Sequence, residues 1–276
     1  EALKRQLVRV CRHWHHPPAI PILNCGDVHV WRVPLNVSRD VVTALAALLS
    51  NEENVKARRM LCEEASRRFV VSHGALRKIL GRYLDERPEQ ICLVTDTRGK
   101  PHLAFPANAP TICFSLSHSG EFALCAVTKG RDVGVDVEQI RPVSAWREIA
   151  ARYFSRRERE ALCAVSSGRT LEAFFQGWTR KEAYSKALGQ GVSRRWTQFS
   201  VSLAPDAIVE LSGAGTKVGD DDRFTLCPLE LGVGYIAAVA AQGVGWHLRC
   251  WHWSWAEEDV ARAGMKTRSS SVSAGR

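Results

Sequence analysis

Apolar and polar positions alternate through Val133, Val135 and Val137, with Asp136 and Glu138 falling between and after them. Period two predicts a strand with the valines on one face and both carboxylates on the other. The same reading along the chain predicts strands at 28–33, 91–95, 111–116 and 122–127, separated by short turns such as SHSG and KGRD. Ser38 can cap a helix through Leu49, and Ser50 with Glu53 forms a capping box for a second. Phe69, His73, Leu76, Leu80 and Tyr83 recur at helical spacing, predicting a longer helix over 64–84. Beyond the carboxylate strand, Ser155 and Glu158 make another capping box, with Phe154 placed as its staple. The SSG at 166–168 breaks that helix, and a strong one follows over 171–188, closed by Gly189. The remainder is strand-like, including 207–211. Trp251, Trp253 and Trp255 alternate on one face of a last strand, as packing residues.

This order, strand then helices then strands, followed by helices then strands, predicts an α+β fold in two halves. The join falls near 128–131, and the GVDVE strand opens the second half. The expected organisation is an irregular segment at 1–27, a first α+β half at 28–129, a second at 130–258 and a disordered tail at 259–276.

Composition narrows the class. At 276 residues and 45% hydrophobic the chain has enough apolar content for a real core, in one large domain or two ordinary ones. No apolar run approaches the length of a bilayer span, and no secretory signal is visible in a chain starting at Glu1. The nine cysteines include no C-x-x-C pair, and several, such as Cys92 and Cys125, lie in apolar runs. They read as small buried hydrophobes of a reducing, cytoplasmic protein rather than a disulfide frame or zinc site. Cys11, His13, His15 and His16 do not match a metal-ligand spacing. The formal charge of +9 points to an anionic partner.

Two carboxylates on one strand face lie about 7 Å apart or less and repel unless a cation sits between them. As hard oxygen ligands they suit magnesium, although a strand with one wet face would look the same. The strong helix carries WTRKEAYSKALGQG from Trp178, with Glu182 and Lys186 on one face at i and i+4. Alone, that is an ordinary helix pair worth about 0.3–0.5 kcal/mol.

Together the pieces are far rarer. Gly134-Val-Asp136-Val-Glu138, followed by Trp178-Thr-Arg-Lys181-Glu182-Ala-Tyr-Ser-Lys186, resembles the signature of the 4'-phosphopantetheinyl transferases of the surfactin-synthetase-activating type. FSLSHSG at 114–120, RGKPHL at 98–103 and RRFVVSHGALRKILGRYL resemble further motifs of that family, in the same order. The resemblance spans about 28–255.

It implies two similar α+β halves, a pseudo-dimer in one chain, with the active site in the cleft between them. It implies transfer of the 4'-phosphopantetheine arm of coenzyme A to a serine of an apo acyl or peptidyl carrier protein, with release of 3',5'-ADP. Such carriers serve fatty-acid, polyketide or nonribosomal-peptide synthesis. Asp136, Glu138 and Glu182 would hold Mg²⁺ on the pyrophosphate, Glu138 being the ligand that some members replace. Lys186 would stabilise the transition state, and Glu182 would take the serine proton, directly or through a water. Ser117 and His118 would meet coenzyme A phosphate. Arg68, with Lys56 and Arg77, would meet its 3'-phosphate, and Lys100 its adenine. Glu53 departs from the family, standing where some relatives have a basic residue. The basic charge would attract both polyanionic coenzyme A and an acidic carrier. The expected protein is a monomer with neither nucleic-acid nor membrane partner. A magnesium nuclease or phosphatase would also pair strand and helix carboxylates, but more often with a clearer two-metal set. A nucleic-acid module would explain the charge and not the acidic triad.

Overall fold

The computed structural model describes residues 11, 13–104, 111–204, 211–213 and 224–255. In chain order its elements are β1 (Asp27–Pro34), α1 (Arg39–Ala46), α2 (Asn51–Arg58), α3 (Glu63–Leu84), β2 (Leu93–Thr95), β3 (Pro101–Leu103), β4 (Ile112–Ser119), β5 (Phe122–Lys129) and β6 (Val133–Gln139). Then come α4 (Trp146–Tyr153), α5 (Arg156–Ala164), α6 (Thr170–Ala187), β7 (Phe199–Val201), β8 (Leu211–Gly213), β9 (Phe224–Leu229), β10 (Tyr235–Gln242) and β11 (His247–His252). The fold is α+β. Two larger sheets, ordered β11-β1-β5-β4 and β6-β10-β9, carry the architecture.

Alternation explains how they stack. Val28, Val30, Leu124 and Ala126 of the first sheet meet Val133, Val135, Val137 and Val239 of the second. The opposite face of the first sheet, with Trp31, Val33 and Val127, packs on Val71, Leu76, Ile79 and Leu80 of α3. The opposite face of the second, through Ala238 and Ala240, packs on Ala183 and Ala187 of α6. The valine face of β6 is therefore core between the sheets. Its carboxylate face lies toward α6, where the sequence alone allowed open solvent.

The caps form as the sequence predicts. Ser38 accepts from the Val41 N–H, and both capping boxes, Ser50 with Glu53 and Ser155 with Glu158, are complete. The first helix stops at Ala46, short of Leu49, and the 91–95 segment is strand only from Leu93. Strand β4 runs on through Ser119, so His118 lies on a strand and the turn narrows to Gly120 and Glu121, with Gly120 at φ 57°. Trp253 is buried and packs in the first core, with Trp251 and Trp255 against it. Of the strand expected at 207–211 only Leu211 is among the described residues, and the 259–276 tail lies outside them.

Two long-range features escape any local pattern. Strand β11 runs parallel to β1, from Asp27 opposite His247 to Arg32 opposite His252, so the last strand completes the first sheet. Cys11 and Cys250 form a disulfide, and Cys25, Cys62, Cys92 and Cys163 are exposed. The reading of the cysteines as unpaired buried hydrophobes is thus corrected. It holds for Cys125 and Cys227, which are buried and lie outside the disulfide. Pairing and exposure depend on which segments meet, and spacing does not report that.

Behind α6 sits a buried ion pair. Lys181, fully buried, lies 3.0 Å from Glu158 and donates to the carbonyls of Trp196 and Phe199 at 2.7 and 2.8 Å. Glu158 also accepts from the Ser155 and Val201 N–H groups. Burial pushes the Lys181 ammonium down to about 8, against the pull of Glu158. Lys181→Met keeps the stem but strands the carboxylate, and should cost about 3–5 kcal/mol in urea unfolding. A cost under about 1 kcal/mol would show that the two backbone donors suffice for Glu158.

Candidate active site

Helix α6 reaches the carboxylate strand because Gly134 lets it. A Cβ built there would collide with the Ala183 carbonyl oxygen and the Ala187 amide nitrogen, and would stand 3.0 Å from the Lys186 carbonyl carbon. With no side chain at 134 the helix backbone rests on the strand, and its neighbouring residues Glu182 and Lys186 overlook Asp136.

Asp136 is the centre of the site. It is 3% exposed. Its Oδ1 accepts from Ser117 Oγ at 2.7 Å and from Lys186 Nζ at 2.7 Å, and Lys186 also donates to Ser117 Oγ at 2.9 Å. Three elements, β4, β6 and α6, thus meet on one oxygen. Asp136 Oδ2 is buried and has no hydrogen-bond partner among the described residues. Glu138, two residues on, accepts from Ser119 Oγ at 2.9 Å and lies 3.7 Å from Arg141. Burial and then Asp136 raise the Glu138 carboxyl above its ordinary range, against Ser119 and Arg141. Glu182 is pushed up to about 7 by burial, then by Asp136 and, more weakly, Glu138, with Lys186 opposing. Three carboxylates therefore crowd one ammonium, and Asp136 helps to raise the other two.

Such a site is short of positive charge. A buried carboxylate oxygen without a partner is costly, and Asp136 Oδ2 is one. The three acidic side chains are hard oxygen donors, so the residues fit a divalent cation of the magnesium type. In this arrangement no three of them converge on one point, among the described residues. Lys186 supplies the positive charge at Asp136 instead.

Elements ahead of β6 carry several of the expected basic residues. Lys56 of α2 lies over the Phe69 ring at 5.3 Å, and Arg68 of α3 pairs with Glu64 at 2.9 Å. His118 feels Lys186 and Arg68, which join partial burial in holding its imidazole below the usual range. His73, read in the sequence as a helix-repeat position and given no site role, stacks on Phe69. Burial takes its imidazole down to about 4, with Glu53 opposing and His118 and Lys56 adding to the fall. His118 thus feels both Lys186 and Arg68, and His73 feels His118 and Lys56.

Two of the expected coenzyme A residues have their side-chain charges engaged elsewhere. Arg77 is buried, bonded to Glu53 at 2.7 Å and to the carbonyls of Pro88 and Ile91, so it is spent inside the first half and is not available to a phosphate. The same pair explains the departure at Glu53, whose carboxylate also closes the α2 capping box. The Lys100 ammonium donates to the Ala187 carbonyl at 2.8 Å and pairs with Asp132, docking the β2–β3 hairpin on the end of α6. Trp178 packs with Tyr153, Phe174 and Trp196. Sequence reasoning missed Ser115 and Ser119. The signal was the alternation of Ser115, Ser117 and Ser119, which aims three hydroxyls at the edge of β6. A separate cavity of about 560 Å³ lies on the far side of α6, lined by residues such as Ala161, Gln176 and Leu203, and shares none of these groups.

A carboxylate cluster and one lysine meet where the edges of the two sheets adjoin, with His118 beside them. Two family models match the chain. Residues 132–240 match the 4'-phosphopantetheinyl transferase superfamily, and residues 35–130 match the N-terminal region of a 4'-phosphopantetheinyl transferase. The chain is 37% identical to the 4'-phosphopantetheinyl transferase HetI of Nostoc sp., over 86% of this chain and 96% of that one. It is 30% identical to the 4'-phosphopantetheinyl transferase Sfp of Bacillus subtilis, over 60% of this chain and 71% of that one. It is 37% identical to AcpT of Salmonella typhi, over 55% and 77%. The chain belongs to the 4'-phosphopantetheinyl transferases, and is an enzyme of that family. No helix among the described residues is long and apolar enough to cross a membrane.

Proposed function

We propose that the protein transfers the 4'-phosphopantetheine arm of coenzyme A to a serine of an acidic apo carrier protein, with Mg²⁺, releasing 3',5'-ADP. The observation that carries this is Asp136, buried, with one oxygen shared by Ser117 and Lys186 and the other left without a partner. Family membership supplies the reaction class. The division of labour follows the expected halves, with 28–129 taking the 3'-phosphate and adenine and 130–258 the pyrophosphate.

Asp136, Glu138 and Glu182 would hold the cation, which when bound neutralises charge on the pyrophosphate as phosphorus is attacked. Lys186 moves its ammonium from Asp136 to the phosphate oxygens, where developing charge is strongest. Glu182 accepts the proton of the carrier serine, directly or through a water. His118 and Arg68 bind coenzyme A phosphates, with Lys56 beside them. Ser117 orients Asp136 and Lys186 together. Lys100 approaches adenine through its backbone, since its ammonium is engaged with α6. The net charge of +9 draws in both anionic substrates. The single chain, acting as its own pseudo-dimer in the cytoplasm, works as a monomer.

The test is the intact mass of an apo carrier protein after incubation with enzyme, coenzyme A and Mg²⁺, with Glu182→Ala as control. One added phosphopantetheine arm, absent in the control, is expected. Chelating the metal with EDTA should abolish the gain, and added Mg²⁺ should restore it. No gain with several carriers, together with no binding of coenzyme A, would overturn the reading.

A further inference from the structure

Strands β4 and β6 are the adjoining edges of two different sheets, and serine side chains hold them together. Ser115 Oγ accepts from the Val135 N–H at 3.1 Å, and Ser119 Oγ accepts from the Gln139 N–H at 3.1 Å. A serine hydroxyl has one hydrogen to give. At Ser119 the Gln139 amide takes a lone pair, so the hydroxyl hydrogen is directed at Glu138 Oε2, 2.9 Å away. Arg141 approaches the same oxygen at 3.7 Å. Both partners fall on Oε2, which leaves Oε1 for another ligand.

We infer that Ser119 is a positioning residue, which fixes the Glu138 carboxylate on a first-half strand so that its second oxygen is presented to the divalent cation. The inference rests on the reading of Glu138 as a cation ligand. It assigns to the last serine of the S-L-S-H-S run a task distinct from that of Ser117, whose hydroxyl serves Asp136 and Lys186. It also gives the join between the sheets a chemical purpose, because the first sheet then sets the aim of a carboxylate on the second. A partner that orients a metal-bound carboxylate is commonly worth ten- to a hundredfold in metal affinity.

The experiment compares wild type, Ser119→Ala, Ser119→Thr, Glu138→Ala and the Ser119→Ala/Glu138→Ala double variant. Free Mn²⁺ is titrated by electron paramagnetic resonance to give the ion's Kd, and Mg²⁺ is titrated in the carrier-modification assay. Ser119→Ala should weaken Mn²⁺ binding and raise half-activating Mg²⁺ by about tenfold. At saturating Mg²⁺ its kcat should stay within about threefold of wild type, and its unfolding midpoint should hold, since water can reach the exposed Gln139 and replace the lost acceptor. Ser119→Thr keeps the hydroxyl and should restore wild-type metal affinity. The double variant should bind Mn²⁺ no worse than Glu138→Ala alone. If Glu138→Ala weakens Mn²⁺ binding and Ser119→Ala does not, Ser119 merely completes the strand edge and the inference fails. If Glu138→Ala leaves Mn²⁺ binding unchanged, the reading of Glu138 as a ligand fails, and the inference with it.

Discussion

Asp136→Asn is expected to lower the rate of carrier modification by about a thousandfold while leaving the protein folded. The substitution preserves shape and an oxygen that can still accept from Ser117. What it removes is the negative charge on which Lys186 and the cation depend. Preorganised charge in a dry site is worth far more than in water, and losing one such group costs about 10²–10³ in kcat. Here one change strips both the anchor of the cation and the partner of the lysine, which sets the expectation at the upper end. The Lys186 side chain keeps 30% of its area exposed and can turn to solvent, so the fold loses little. Rates from intact-mass time courses, beside a thermal unfolding curve, separate the two effects. A variant within tenfold of wild type at any Mg²⁺ concentration would remove Asp136 from the centre of the site.

Gly134→Ala should act in the opposite manner, on structure first. The methyl group has nowhere to go, because what it meets is the backbone of α6 at Ala183 and Ala187 rather than the end of a flexible side chain. Helix and strand must separate, opening the alanine contact between α6 and β10. Overpacking of this kind costs about 3 kcal/mol, a fall of roughly 6–12 °C in unfolding midpoint for a chain of this size. Activity should fall with it at temperatures where the variant is still folded, since Glu182 and Lys186 move with the helix. An unfolding midpoint within about 2 °C of wild type would mean that α6 adjusts freely, and that Gly134 is not the reason the helix can approach.

The elements that carry the chemistry were readable before any coordinates, for a physical reason. A period-two run and a period-3.6 run are local properties, and capping boxes mark helix starts within four residues. So β6, α2, α5 and α6 stand close to where the pattern puts them. What lies on the polar face of β6 was not readable, because alternation says only that one face differs from the other. Burial of Asp136 under α6 follows from Gly134, whose meaning appears only once the helix is placed above it. Arg77 and Arg68 show the same limit. Both are arginines on one helix, yet one is locked inside by Glu53 and backbone carbonyls and the other is partly exposed beside Glu64. Sequence spacing cannot tell them apart, because their difference is made by segments far away in the chain. The pairing of Cys11 with Cys250 was hidden for the same reason. The serine run at 115–119 was visible as alternation, but its use depends on which strand edge lies opposite.

The parallel pairing of β11 with β1 bears on how the protein comes to exist at all. These two strands lie about 220 residues apart, so the first sheet stays open along one edge until nearly all of the described chain has left the ribosome. During that interval β1 offers unpaired backbone groups and the apolar residues Val28, Val30 and Trp31 to any passing strand. A nascent chain stalled before His247 should therefore be a sticky, protease-sensitive species, even though α3 and three of the four strands have already been made. The first sheet is complete only when the last strand arrives, so a chain ending at residue 129 lacks one of its four strands.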